Sequence, residues 1–468
     1  LTRATIFLIV VLKLELIMEK ENIKINPSIF KAYDIRGIYP QELNDDLAYL
    51  IGKAFVSYLK PREVVIGRDM RLSSDALFKC LSTGITEAGA DVIDIGLCTS
   101  DALYFAVGKF GYDSGVMVTA SHNPAEYNGI KMCRKKAVPL SGKEGIEQIR
   151  EIIVKRDFPT AGKEGVIKKQ DIQADYIQHL LSFIEPQKIK PFKIVADAGN
   201  GIAGKVLPDF FSHLPCKLFP MFFELDGSFP NHVPNPMISE NMVLLRKRIL
   251  EERADFGVAF DGDADRMFLV DEKGVTLGGD IVCALVAKNL LKKEKGATIL
   301  YNVPCSRVVP EVIQQNGGKA VRTPVGHALI KPLMKKYNAI FGGEHSGHFY
   351  FRQNYFADSG MIALSVCLEL LSAEDKPLSQ LVSSIDHYFR TGEINSRVED
   401  VPKKLEAIES QYKDAKIDHL DGITIEYPDW WFNVRPSNTE PLLRLNLEAN
   451  TKELLEQKKT EVLDLIRS

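Results

Sequence analysis

Apolar positions along the chain alternate between short β-rich runs and helical spacing. Val64–Ile66 reads as a strand, the stretch from Ser74 to Ala90 carries Leu77, Leu81, Ile85 and Ala88 in helical register, and Val92–Ile95 reads as the next strand. This is the cadence of parallel α/β units. It continues through a helix near Thr99–Phe110 and a strand at Gly115–Thr119 that ends in a polar loop. The pattern restarts at Phe192–Ala196, which leads into Asp197-Ala198-Gly199-Asn200-Gly201, and Phe256–Phe260 then runs into an acidic loop. It restarts again at Ala297–Tyr301, with strands near Ala320–Arg322 and Ala339–Phe341 around a helix beginning near Gly326.

The last part follows another pattern. Ile423–Tyr427, Trp430–Val434 and Leu442–Leu447 read as adjacent strands joined by short polar loops, and a helix from Lys452 to Ile466 closes an α+β unit. These breaks place domain boundaries near residues 170, 275 and 390. They give α/β domains over 18–170, 171–275 and 276–390 and an α+β domain over 391–468. The length of 468 residues agrees with three or four domains at ~100–200 residues each. No low-complexity linker separates them, so the domains are expected to pack together.

Composition narrows the function. Lys and Arg total 59 against 62 Asp and Glu, a net charge of −3 that gives no ground for a nucleic-acid or membrane partner. Any anion site must be local. With 45% hydrophobic and 26% charged residues, disorder, collagen and coiled coil are excluded. The seven cysteines form no C-x-x-C pair, so neither a zinc knuckle nor a disulfide framework is indicated, and a reducing cytoplasm is the expected compartment. Ala4–Leu12 is an apolar run behind Arg3, long enough for a signal-peptide core and about half of a membrane-spanning helix. Lys13, Glu15, Glu19 and Lys20 follow it, with no small-residue cleavage site. Because Leu1 opens the chain and Met18 opens the polar stretch before the first motif, residues 1–17 are expected to be an upstream extension. An amphipathic N-terminal element is the alternative.

Four segments could carry chemistry. Thr119-Ala120-Ser121-His122-Asn123-Pro124 puts a serine at a strand end, where backbone N–H groups and a cation could activate it or hold a phosphate on it. An Asn-Pro turn with a locally capping serine is the alternative, and no G-x-S-x-G elbow supports a hydrolase. Asp261-Gly262-Asp263-Ala264-Asp265-Arg266 sets three carboxylates at every second position, a ligand set for one hard divalent cation, with Gly262 expected to permit a sharp bend. Counted from Asp261, Glu272 falls at position 12 of a calcium EF-hand loop, but Arg266 stands where that loop needs glycine, and both flanks read as strands. A solvated acidic turn also remains open. Gly342-Gly343-Glu344-His345-Ser346-Gly347-His348 could present hydrogen-bonding groups to a polyol, with a histidine relaying a proton, or be a glycine-rich turn with solvated histidines. Arg435-Pro436-Ser437-Asn438-Thr439-Glu440-Pro441 has the guanidinium and hydroxyls of a phosphate cradle.

Taken in order with Ala32–Gly37, Gly67–Arg71, Tyr127–Lys131 and Gly326-His327, these motifs resemble the phosphohexomutases, specifically the phosphomannomutase/phosphoglucomutase group of the α-D-phosphohexomutase superfamily. The resemblance runs from about Phe30 to the C-terminus. It implies four domains around a central cleft, three related α/β domains followed by a smaller α+β C-terminal domain. It implies a phosphoserine at Ser121, and Mg²⁺ held by Asp261, Asp263, Asp265 and a phosphate oxygen on Ser121, with Arg266 beside the metal. By the same resemblance Tyr33 and Arg36 line the cleft, Lys131 is a candidate proton shuttle with His348 and His327 as the others, Glu344 and Ser346 read ring hydroxyls, and Arg435, Ser437, Asn438 and Thr439 grip the phosphate that is not reacting. His345 receives no role.

The implied reaction interconverts hexose 1- and 6-phosphates of mannose, glucose or both, through a hexose 1,6-bisphosphate that turns over in the cleft. A phosphoglucosamine mutase, a phosphatase and a non-catalytic sugar-phosphate-binding protein on the same scaffold are the alternatives. The partners implied are small hexose phosphates, with no nucleic acid and no membrane, and a monomer or small homo-oligomer. The chain departs from the pattern at Val303-Pro304-Cys305 and Arg322-Thr323-Pro324-Val325. There prolines stand where many relatives have basic residues, which puts part of the positive lining of the third domain in question.

Overall fold

The computed structural model describes residues 25–158, 162–436 and 442–468, leaving aside the side chains of residues 327 and 328. The expected upstream extension therefore lies outside the described residues. Four sheets form among them. In the first, Asp91–Leu97, Glu63–Arg68 and Ser114–Val118 lie parallel in that spatial order, and Tyr127–Arg134 joins Ser114–Val118 antiparallel. The second repeats this with Lys217–Met221, Lys193–Asp197 and Phe256–Phe260 parallel and Met267–Asp271 antiparallel. The third repeats it again with Lys319–Thr323, Thr298–Asn302 and Phe341–Gly343, then Phe349–Phe351 antiparallel.

Each copy leaves its first strand to one side and returns on the other, which opens a crevice at the carboxyl ends between the first and third strands. The turn from the third strand to the antiparallel fourth emerges at that same end. In the three sheets that turn holds Ser121, then Asp261 to Arg266, then Glu344 to His348. Three of the four candidate segments are thus one loop, repeated.

Burial explains why these runs are strands. Ser114–Val118, Phe256–Phe260 and Phe341–Gly343 are buried throughout, as parallel strands covered on both faces must be. The helix Ser74–Glu87 buries Leu77, Leu81 and Ile85 at the expected spacing, and with Asp45–Leu59 and Ile146–Lys155 it covers one face of the first sheet. On the other face Ser100–Phe110, capped by the Thr99 hydroxyl, belongs to a core that runs without a break through the first three domains. Gly279–Lys293 and Gly360–Glu374 lie in that shared core. The domains do pack together.

The fourth sheet is antiparallel, in the order Phe389–Arg397, Leu442–Ala449, Trp430–Pro436, Ile423–Glu426, Lys416–Asp418. Helices Val401–Gln411 and Lys452–Arg467 bury Ile408, Leu455, Val462 and Ile466 against it. This domain is clipped to the third by two arginines. Arg307 donates to the carbonyls of Tyr427 at 2.6 Å and Pro428 at 2.8 Å, and Arg322 pairs with Glu426 at 2.6 Å. These arginines flank Pro304 and Pro324, so the basic groups nearest the prolines are spent on the domain joint. No helix among the described residues is long and apolar enough to cross a membrane.

Candidate active site

Ser121 sits in the left-handed region, with φ 51°, and its amide donates to the Thr119 hydroxyl at 2.9 Å. This posture aims Oγ across the domain boundary. The hydroxyl donates to Asp261 Oδ2 at 2.6 Å and lies 3.1 Å from His122 Nδ1. Burial, with Arg266 and Arg36 nearby, holds the His122 imidazole well below its ordinary value, so the ring is neutral at physiological pH.

The acidic loop approaches Ser121 closely, and this corrects the expectation for Gly262. The residue with positive φ in the loop is Ala264, at 60°. At Gly262 a Cβ would lie 2.4 Å from the Ser121 carbonyl oxygen, so glycine is needed there to let two domains touch, not to bend the chain. The EF-hand alternative is ruled out by the fold. The loop joins two paired antiparallel strands, and Glu272 lies beyond the full length of Met267–Asp271, where it accepts from the Ser379 amide at 3.1 Å.

Asp261, Asp263 and Asp265 are buried, and their carboxylate oxygens lie within 4.8 Å of one another. Lys131 Nζ stands 2.6 Å from Asp263 Oδ2 and 2.6 Å from Asp265 Oδ2. Burial alone would lower the lysine, but the two carboxylates more than offset it and hold the ammonium well above its ordinary value. Burial would raise Asp265; Lys131 and His348 outweigh it and keep that carboxyl well below the usual range. Asp261 goes the other way, pushed up by burial and by its two neighbours. Asp263 Oδ1 and Asp265 Oδ1 are buried without a hydrogen-bond partner. Three converging carboxylates, with Asp263 Oδ1 left unmatched, fit a hard divalent cation.

The third loop closes the site. His348 Nδ1 lies 2.9 Å from Ser346 Oγ and 3.3 Å from Glu344 Oε2, while Nε2 lies 3.5 Å from Asp265 Oδ1 and 3.2 Å from Arg266 Nε. Burial and Arg266 oppose its charge, but Asp265 and Glu344 prevail and raise the imidazole to about 9. In the contact with Arg266 the guanidinium Nε–H is the donor and His348 Nε2 the acceptor. Glu344 accepts from the Gly326 amide at 3.0 Å, from Ser346 Oγ at 3.2 Å and from Tyr350 at 3.2 Å.

Arg36, on the strand Ile35–Ile38, donates to Asn123 Oδ1 at 2.6 Å and to Asp34, beside the serine loop. Across the cleft the Tyr33 hydroxyl reaches the Val325 carbonyl at 3.5 Å. Gly326, at φ 127°, is required there because a Cβ would sit 2.4 Å from that hydroxyl. Arg435 is nearly buried in the C-terminal domain, and Glu393 holds its guanidinium at 2.5 Å.

The chain matches the phosphoglucomutase/phosphomannomutase alpha/beta/alpha domains I, II and III over residues 27–179, 174–274 and 278–388. It matches the C-terminal domain of the same family over 393–465. The chain belongs to the phosphoglucomutase/phosphomannomutase family. It is 39% identical over 450 residues to a phosphomannomutase of Escherichia coli, covering 94% of this chain and 99% of that one. It is 41% identical over 448 residues to a phosphomannomutase of Vibrio cholerae, covering 93% and 97%. The crystal structure of a phosphoglucomutase/phosphomannomutase family protein from Burkholderia thailandensis superposes with a TM-score of 0.88 at 33% identity, over 95% of this chain and 98% of that one.

This family member is a phosphohexomutase, an isomerase, with four domains around a central cleft. Of the residues expected in its site, Ser121, Lys131, Asp261, Asp263, Asp265, Arg266, Glu344, Ser346 and His348 form one connected cluster, and Arg36 adjoins it through Asn123. Ser437, Asn438 and Thr439, and the side chain of His327, lie outside the described residues. Sequence reasoning passed over His122, Ser100 and Glu393. His122 was within a quoted motif; Ser100, whose hydroxyl donates to Asp263 at 2.5 Å, opens a helix with no motif around it.

Proposed function

We propose that this phosphohexomutase interconverts the 1- and 6-phosphates of mannose and of glucose, with Ser121 carrying the phosphoryl group and Mg²⁺ held by Asp261, Asp263 and Asp265. The observation that supports it most directly is the 2.6 Å bond from Ser121 Oγ to Asp261, which puts a nucleophile at the edge of a buried tricarboxylate. A divalent cation bound there would neutralise charge on the phosphoryl oxygens, where phosphoryl transfer most needs it.

The chain's own residues account for the rest. In the first transfer the phosphorus–oxygen bond to phospho-Ser121 breaks, a bond forms to the free hydroxyl of the hexose phosphate, and the proton of that hydroxyl ends on the released Ser121 oxygen, with the neutral His122, 3.1 Å from that oxygen, as the relay within reach. In the second, Ser121 Oγ attacks the other phosphate of the 1,6-bisphosphate, the phosphorus–oxygen bond to the sugar breaks, and the serine proton ends on the departing sugar oxygen, again with His122 as the relay within reach. Lys131, between Asp263 and Asp265, is held protonated, so it serves as a charge and a donor in this state rather than as a base. The Arg266 guanidinium, which donates to His348 Nε2 at 3.2 Å and lies 3.7 Å from Asp261, puts a second cation beside the tricarboxylate, where it suits a phosphoryl oxygen. Arg435, paired with Glu393 in this state, would grip the phosphate that is not reacting once that pair opens.

The test follows ³¹P resonances of mannose 6-phosphate or glucose 1-phosphate with Mg²⁺ and a trace of the 1,6-bisphosphate. Appearance of the isomeric phosphate is expected, along with its loss in EDTA and in Ser121→Ala. Release of inorganic phosphate would make the protein a phosphatase, and near-native turnover by Ser121→Ala would exclude the covalent route.

A further inference from the structure

Arg71 follows Glu63–Arg68, the central parallel strand of the amino-terminal sheet, and its side chain is completely buried. One terminal nitrogen donates to the carbonyls of Pro124 at 2.7 Å and Tyr127 at 2.9 Å. The other donates to the carbonyls of Ser121 at 2.9 Å and Asn123 at 2.6 Å. Nε faces the Asp69 carboxylate 3.3 Å away, and Asp69 is fixed in turn by Ser74 Oγ at 2.6 Å. A guanidinium has five N–H groups in one rigid plane. Four of them are committed to main-chain carbonyls of the serine loop, and the fifth faces the carboxylate that orients the plane.

The second domain presses on the same residue. The ring of Phe229 covers the guanidinium at 4.9 Å, and a Cβ on Gly227 would lie 2.5 Å from Arg71 Cα. Arg71 is therefore clamped between the loop that carries Ser121 and a segment of the domain that carries the aspartates.

We infer that Arg71 is a positioning residue for phosphoryl transfer: by gripping the Ser121 carbonyl it holds the serine in the left-handed posture that aims Oγ at Asp261, and through Gly227 and Phe229 it ties that posture to the seating of the second domain. The inference rests on Ser121 as the phosphoryl carrier. A lysine could keep the charge opposite Asp69 but not the plane, since its three donors cannot span four carbonyls.

The decisive variant is Arg71→Lys, with kcat and KM measured on mannose 6-phosphate, Ser121 phosphorylation by the 1,6-bisphosphate followed by intact mass, and amide exchange mapped over the chain. A fall in kcat on the order of 100-fold is expected from a misplaced nucleophile, with a parallel fall in the phosphorylation rate. KM should stay within about threefold, the signature of an interaction needed in the transition state. Faster exchange should be confined to residues 119–127. A folded Arg71→Lys enzyme with near-native kcat, or with its loss in KM, overturns the inference. If that variant does not fold, Phe229→Leu decides: a severalfold lower kcat at unchanged KM upholds the clamp, and native kinetics refute it. A native enzyme that never carries phosphate on Ser121 refutes the carrier reading itself, without recourse to any Arg71 variant.

Discussion

Replacing Lys131 by methionine removes a buried cation that stands 2.6 Å from oxygens of both Asp263 and Asp265. The methionine fills much the same volume, so the effect is mainly one of charge. Among the described residues, the cationic or basic groups then left within 4 Å of the three buried carboxylates are Arg266, 3.7 Å from Asp261, and His348, 3.5 Å from Asp265. Deleting one partner of a buried ion pair costs ~3–5 kcal/mol. At ~2–4 °C per kcal/mol for a domain of this size, that lowers the transition in chelator by about 6–20 °C. A bound divalent cation acts in the opposite direction, contributing ~2.7 kcal/mol at a hundred times its Kd. Because the variant loop is more negative, it should bind the cation more tightly and gain more from it than the native loop does. Calorimetric melts in EDTA and across an Mg²⁺ series measure both effects. The deficit should narrow as pH falls, since protonating an aspartate removes the charge that Lys131 no longer matches. A variant that melts within about 2 °C of the native protein in EDTA would refute the argument. So would an Mg²⁺ shift smaller than the native one.

Gly262→Ala should cut kcat on the order of 100-fold, because its Cβ would sit 2.4 Å from the Ser121 carbonyl and force the two loops apart; native kcat in this variant would show that the close approach is not needed. Asp101, bonded to Tyr176 at 2.7 Å and to the Thr99 and Ser359 hydroxyls, is raised by burial from 3.8 to about 6. Between those values the folded protein keeps a proton that the unfolded chain has lost. The stability it contributes is present below pH 3.8 and falls by ~3 kcal/mol as pH rises through 6. Asp101→Asn should flatten that part of the melting-temperature profile, and an unchanged slope would contradict it. Glu344 and Ser346 are expected to read sugar positions other than C2, so kcat/KM for mannose and glucose 6-phosphates should agree within about tenfold, with glucosamine 6-phosphate poorer. A preference for the amino sugar would overturn the substrate assignment.

The α/β rhythm was legible because parallel strands such as Ser114–Val118 are continuous apolar runs and the helix Ser74–Glu87 has one apolar stripe. Gly360–Glu374 was not, because it is buried on nearly all sides and its apolar residues show no stripe to count. The strand Phe389–Arg397 escaped for the opposite reason: half-exposed and polar, it gains its place by pairing with Leu442–Ala449. Within the site, Ser121 and the aspartates could be read because each turn packs its chemistry into a few consecutive residues. Arg71 and Glu393 could not be assigned a task, since the carbonyls that Arg71 grips lie 50 or more positions away and Arg435 lies 42 from Glu393, and only folding brings them together. Gly262 was noticed for a conformation it does not adopt, because the chain that crowds it comes from another domain.

The repetition of one turn in three sheets makes turnover an unusually strict gauge of the molecule's integrity. Each copy contributes a single instrument: the hydroxyl from the first, the carboxylates from the second, the imidazole from the third. None of these can act alone, and they meet only where the three sheets abut. A drift of one sheet by the length of a hydrogen bond would silence the enzyme while every strand stayed intact. Activity should therefore fade on warming before any spectroscopic sign of melting.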